Sequence, residues 1–461
     1  MQSDLSTPLQ PQVLAFREFI TGLFYALDEA GVRFCVLRNY EGFPAINLGG
    51  DLDLLIAPSD LPYAIRALRS IQGIRITGYS ERSWVAHAFV EGVSPEPNIH
   101  ALQVDFLWLL SWKGNAYLPT ETILDASILR QAEDLSFRVP LPVHEAAISL
   151  FASLLVGGWL KEKYFPEVQR TFANDKSGTI AALSPQFGPK ISMRLVESVI
   201  DGDRGEILGC IKPLRISLTM RSLLRKPLRS AWAVTQYLAR EITVRFSPGS
   251  VETVRILASD GRGEAIIEDL LPMLYASAKT IERSNTDQLA LFERALREEA
   301  QADGFNRLTR SDFFVSIVKV LRWLLKEWWG QFVGKKNLTL RICEDCYHNL
   351  LIDPKNYWYR GPKWFARFVG ELLPTPDLWI LLDPAGDGAA SKNHELSTAK
   401  IDVQVDAYRS FVKTRKSYII LNASKPLTSV TEDTYLAIID ILAQRAAKQL
   451  RRRFDAFADS A

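Results

Sequence analysis

Residues 48–56 read LGGDLDLLI. Asp51 and Asp53 stand two apart in a stretch whose other side chains are apolar. Along a strand, residues i and i+2 project to the same face, so the spacing predicts two carboxylates side by side. Like charges at that range raise each other's pKa unless a cation relieves them. A divalent ion, Mg²⁺ or Mn²⁺, does so, because it takes carboxylate oxygens together with substrate phosphates. Gly49 and Gly50, just ahead, let a ligand come close to the backbone. A third acid, Asp105, lies between Val104 and Phe106 in ALQVDFLWLL. An acid in mid-strand among apolar neighbours is costly unless it is paired or binds metal. Three acids from two strands suit metal-assisted phosphoryl or nucleotidyl transfer. The plainer alternative is a turn and an edge strand with both aspartates facing water.

Working outward, RFCVLRNY (33–40) reads as a strand and DLDLLIA (51–57) as its partner. Residues 13–30 have the pattern of an amphipathic helix, and Ser59 is placed to cap a helix through DLPYAIRALRSI. IRITGYS, WVAHAFVE and HALQVDFLWLL read as further strands. A small mixed sheet with helices is expected over residues 1–139. Pro140 and Pro142 mark a boundary before a helical domain over 140–246, and SPGS (247–250) marks the next. Beyond it strands alternate with helices, which predicts a parallel sheet over 247–461. The expected fold is therefore multidomain, α/β and α+β. A chain of 461 residues is also longer than one core usually supports.

Hydrophobic residues make up 47% and charged residues 23%, as in ordinary globular proteins, and a net charge of +2 gives no case for nucleic acid. Four scattered cysteines fit a reducing cytoplasm better than a disulfide framework. Cys343-x-x-Cys346 with His348 would be part of a zinc site; two small residues at a strand end is the plainer reading. The start, MQSDLSTPLQPQ, lacks a secretory apolar core. AAISLFASLLVGGWL (146–160) falls short of the ~20 residues that span a bilayer and reads as a buried helix. FFVSIVKVLRWLLKEWWGQFV (313–333) carries Lys319, Arg322, Lys326 and Glu327 at helical spacing, which leaves an apolar face for packing or for a membrane surface. The stretch 211–246 sets Lys212, Arg215, Arg221, Arg225, Lys226, Arg229, Arg240 and Arg245 against Glu241 alone. A solvated helix face explains it, as would contact with a polyanion or an anionic membrane.

GGDLDLLI followed by VDF resembles the nucleotidyltransferase fold of the DNA polymerase beta superfamily. The shared pattern is a Gly-[Gly/Ser] element, then D-h-[DE]-h, then a third acid on a later strand. The lead-in VLRNYEGFP also resembles a bacterial nucleotidyltransferase group. The resemblance implies that Asp51, Asp53 and Asp105 are catalytic metal-binding acids. It implies an NTP as substrate, and a small-molecule or glycan-type acceptor. The Gly-Ser turn that usually follows the first strand is replaced here by Arg38-Asn39, which would meet phosphate by charge and hydrogen bonds. Lys161 and Lys163 in GGWLKEKYF (157–165) are further candidates for phosphate contact, or simply a solvated helix end. A homodimer is compatible with this reading.

LASDGRGEAIIEDL (257–270) has the outline of a phosphate-binding loop. Against the template G-x-x-x-x-G-K-[ST], Ala258 replaces the first Gly, Gly263 fills the second, and Glu264 and Ala265 replace the Lys and the Ser/Thr. With ICEDCYH, PTPDLWILLD and NASKPL, residues 250–455 resemble the thymidylate kinase family. The catalytic positions depart from that family. Glu264 sets a negative charge where phosphate would lie, a repulsion of ~4 kcal/mol at ~4 Å and an effective dielectric of 20. Ala265 removes a metal-holding hydroxyl, and Glu344-Asp345 replaces the family's Asp-Arg. The expectation is a kinase-like domain that no longer transfers phosphate. The rival readings are an active nucleotide or sugar kinase, and a non-catalytic binding or regulatory scaffold.

Overall fold

The computed structural model describes residues 14–47, 50–96, 99–246, 251–258, 262–274, 278, 280–283, 310–333, 339–343, 347–352, 359, 361–384 and 398–455. Two compact units divide between Val244 and Arg245 and again between Arg445 and Ala446. The chain is mixed α/β.

In the first unit a helix, Phe16–Glu29, follows a short strand, β1 (Leu14–Ala15). The sheet then takes β2 (Phe34–Val36), β3 (Asp51–Ile56), β4 (Arg75–Glu81), β5 (Val85–Glu96) and β6 (Ile99–Leu107). The order is β1-β5-β6-β3-β2, with β4 also on β5. β3 runs parallel to β6 and antiparallel to β2, while β5 is antiparallel to β6. Two hairpins follow, β7 (Leu110–Trp112) with β8 (Asn115–Leu118), and β9 (Ile128–Ala132) with β10 (Leu135–Val139).

Strand parity sorts the sheet into two faces. Leu52, Leu54, Ile56, Val104 and Phe106 pack on helices Phe16–Glu29 and Leu61–Ser70. Leu450 and Phe454, from the end of helix Leu427–Phe454, join that core. Cys35, Leu55, Val85 and Leu107, on the opposite face, pack with helix Pro142–Phe151 and with later helices through Leu183, Leu195 and Leu214. Residues 140–244 thus share a core with the sheet instead of forming the separate middle domain expected from the prolines.

Two local expectations change. Ser59 does not cap the second helix: Pro58–Asp60 forms a 3-10 turn, Asp60 takes the cap position, and the Ser59 hydroxyl donates to Asp60 at 2.9 Å. The run 146–160 is not one buried helix. Its α-helical part stops at Phe151, a π-helical turn spans Ala152–Gly157, and Gly158 closes it at φ +76. The wider turn leaves Val156 and Trp159 exposed.

The second unit holds a five-stranded sheet, β11 (Val251–Ala258), β12 (Thr280–Arg283), β13 (Thr339–Cys343), β14 (Leu378–Asp383) and β15 (Tyr418–Asn422). Its order is β12-β13-β11-β14-β15, and every pairing is parallel. β14 is buried along its whole length, as a strand covered on both faces must be. The stretch 313–333, read as helical, lies in helix Arg310–Val333. A short helix, Tyr347–Ile352, follows β13. Glu344, Asp345 and Cys346 lie outside the described residues, and Cys343 is buried at the end of β13. Among the described residues, no helix is long and apolar enough to cross a membrane.

Candidate metal centre

Asp51 opens β3, directly after Gly50 at φ +74, a backbone conformation that glycine adopts without strain. Gly49 lies outside the described residues. Asp53 follows on the same face, and the parallel register sets Asp105 of β6 beside it. One ligand atom from each of Asp51, Asp53 and Asp105 lies within 4.8 Å of the others; among the described residues no other His/Cys/Asp/Glu group meets that test. Asp53 and Asp105 are buried and Asp51 is half-buried.

The charges here are not balanced. Burial first, then the charge of Asp53, pushes the Asp51 carboxyl up to about 6. Burial also raises Asp53, against the pull of Arg38. Arg38 donates from Nε to Asp53 Oδ2 at 2.5 Å. Burial pulls the Arg38 pKa down, but the charge and hydrogen bond of Asp53, together with the charge of Asp51, outweigh it and raise it. One oxygen of Asp53 is thereby taken. Asp105 Oδ1 accepts from Gln103 Nε2 at 2.8 Å and lies 2.8 Å from His87 Nδ1. Gln103 Nε2 also lies 3.3 Å from His87 Nδ1. His87 Nε2 is buried without a partner.

The remaining sequence candidates gather around Tyr164. Its hydroxyl donates to Asn39 Oδ1 at 3.3 Å. Its ring carries Lys161 Nζ at 4.9 Å, Lys163 Nζ at 5.4 Å and the Arg38 guanidinium at 5.8 Å. Lys161 is near enough to pull the Asp53 pKa down. Asn39 is buried at φ +60, a left-handed conformation that asparagine tolerates better than most residues. The tyrosine thus collects Arg38, Asn39, Lys161 and Lys163 on one side of the acids.

A cavity of about 260 Å³ opens against Arg38, Asp53 and Asp105. Trp84, Trp112, Tyr117 and Tyr237 supply aromatic walls, and Lys113 and Ser111 stand at its edge. Polar groups at one end of an apolar cleft are the usual build of a small-molecule site. Sequence reasoning missed His87, Gln103, Tyr164 and these aromatics. Only His87 and Gln103 had a usable signal: both are polar residues at inward-facing strand positions.

In the second unit the acids are matched by arginines. Glu264, in helix Arg262–Met273, pairs with Arg283 at 2.7 Å. Asp383, at the end of β14, receives two bonds from Arg409 at 2.7 and 2.8 Å. Arg445 pairs with both Glu252 and Asp377. Arg262 donates to the Ala423 carbonyl. Residues 259–261 lie outside the described residues.

No family model matches the chain, and no curated protein matches its sequence.

Proposed function

We propose that the first unit is a Mg²⁺-dependent nucleotidyltransferase that moves a nucleotidyl group from an NTP to a hydroxyl or phosphate acceptor. The observation that carries this reading is the convergence of Asp51, Asp53 and Asp105 oxygens within 4.8 Å, buried, with a single arginine bonded to them. The donor set suits a hard divalent ion, which prefers oxygen ligands and relieves the repulsion that raises Asp51. A divalent ion held there supplies Lewis acidity toward the triphosphate.

The chain's own residues supply the rest. Asp51 and Asp53 would hold the ion. Asp105, kept in place by His87 and Gln103, turns its other oxygen to the acceptor hydroxyl and takes its proton. An acceptor O–P bond forms at the α-phosphorus, the bond to the bridging oxygen breaks, and pyrophosphate leaves. Lys161, Lys163 and Arg38 offset the charge of the triphosphate. The aromatic walls of the cleft exclude water and accept a flat ring. In the second unit, Glu264 with its own arginine partner and Ala265 without a hydroxyl support a domain that does not transfer phosphate.

The test is pyrophosphate release with Mg²⁺, each NTP and a panel of hydroxyl and phosphate acceptors. Asp51→Ala and Asp53→Ala are expected to abolish it. Release at the wild-type rate from either variant would sink the reading. ADP production that depends on residues 258–265 would move the activity to the second unit.

A further inference from the structure

Residues 207–240 contain no aspartate or glutamate and seven basic residues. They form helices Ile211–Arg225 and Pro227–Phe246, which meet at Lys226. Two of the seven are used internally: Arg215 donates to the Leu155 carbonyl and Arg240 pairs with Glu81. At the joint, Arg225, Lys226 and Arg229 are exposed and make no ion pair among the described residues. Beside them Leu224, Leu228 and Trp232 are 77%, 86% and 63% exposed, and Leu223 is 44% exposed.

This is not the make-up of a solvated helix face, which turns its large apolar groups inward. Leu214 and Leu218 of the first helix do turn inward and are fully buried. The apolar residues at the joint project outward, at spacings of four, among cations and without a single acid. A nucleic acid would be met by cations and polar groups, and exposed leucines add nothing there. A bilayer surface uses both: leucine and tryptophan enter the boundary between headgroups and acyl chains, and lysine and arginine meet lipid phosphate.

We propose that the joint, residues 223–232, docks the protein on an anionic phospholipid bilayer. Tyr237 lies five residues past Trp232 on the same helix, about 7.5 Å along its axis, and lines the cleft beside Asp53 and Asp105. The docking itself does not depend on the proposed transfer activity.

The experiment is flotation of the full chain, without nucleotide, on vesicles of phosphatidylcholine alone or with one-third phosphatidylglycerol. Binding is expected only to the anionic vesicles and should fall at high salt. The triple variant Arg225→Glu, Lys226→Glu, Arg229→Glu should weaken it roughly a hundredfold, since each basic residue contributes about fivefold at such a surface. Leu224→Ser, Leu228→Ser, Trp232→Ser should weaken it by about tenfold or more. Both variants alter exposed positions and should melt as the wild type does. Failure of the wild type to float with anionic vesicles would overturn the proposal, as would variants that float like wild type. So would tighter binding to duplex DNA than to vesicles, or a wild-type dimer in light scattering that the serine variant converts to monomer.

Discussion

The acids of the two units differ in how closely they gather and in what faces them. In the second, Asp383 and Glu264 each have an arginine, while Glu252 and Asp377 share Arg445, and burial with the Asp377 charge raises Glu252 to about 7. In the first, three aspartates converge and, among the described residues, a single arginine, Arg38, pairs with one of them. Burial raises a carboxyl in both units, Asp51 to about 6 and Glu252 to about 7; only in the first do three carboxylates converge within reach of one ion among the described residues.

The largest expected effect breaks this contrast directly. Asp53→Ala should lower pyrophosphate release by about a thousandfold, while Glu264→Ala should leave it within about twofold. Next come the cores behind the two sites. Leu54→Ala and Ile380→Ala remove fully buried side chains and should each cost about 3 kcal/mol in urea unfolding. Only Leu54→Ala, on the strand of the acids, should also weaken stabilisation by Mg²⁺.

Asp51 gives the third test. Its carboxyl is raised from 3.8 to about 6 in the folded chain, so folding favours the proton there. Below about 4 both states are protonated and the group costs nothing. As pH rises from there through about 6, the folded chain must give up a proton it holds more tightly than the unfolded chain, so stability falls. Asp51→Asn should therefore stabilise the metal-free protein at pH 8 by about 2 kcal/mol and abolish its thermal shift with Mg²⁺. In the wild type that shift should be small at pH 5 and reach its plateau above pH 7, because the ligand must be deprotonated. A shift with the same size at both values would contradict the assignment.

His87→Ala leaves the three ligands but frees Asp105 from one partner. Titration calorimetry should show Mg²⁺ bound about tenfold more weakly, the usual loss when a supporting hydrogen bond is removed. Smallest is Arg283→Ala, which strands the exposed Glu264: less than about 1 kcal/mol of stability and no change in Mg²⁺ binding.

Much of the centre was legible because strand parity is a hard rule. The D-x-D spacing put Asp51 and Asp53 on one face, and the apolar flanks of Asp105 marked it as an acid needing a partner. The pairing of β3 with β6 was not legible, since no local pattern tells a strand which distant strand lies beside it. Level placement of Asp53 and Asp105, and the contacts from His87 and Tyr164, follow only from that pairing. The middle helices were separated from the sheet on the strength of two prolines. Yet Leu55 and Leu107 alternate with Leu54 and Phe106, and strands apolar on both faces already call for a second covering layer. The break at Ala152–Gly157 left no trace, because an α-helix and a π-turn share the same apolar residues. The parallel sheet of the second unit was readable from alternation of strand and helix patterns alone.

Leu450 and Phe454 carry a consequence for how the protein is made. They join the core on the side of β4, where Phe454 packs against Tyr79, yet they are translated after the whole parallel sheet. A nascent chain can form most of that sheet early, but its last hydrophobic layer is missing until the ribosome reaches residue 454. Domains usually finish in the order they emerge; this one closes late. A fragment ending near Val244 would therefore carry an open seam beside β4.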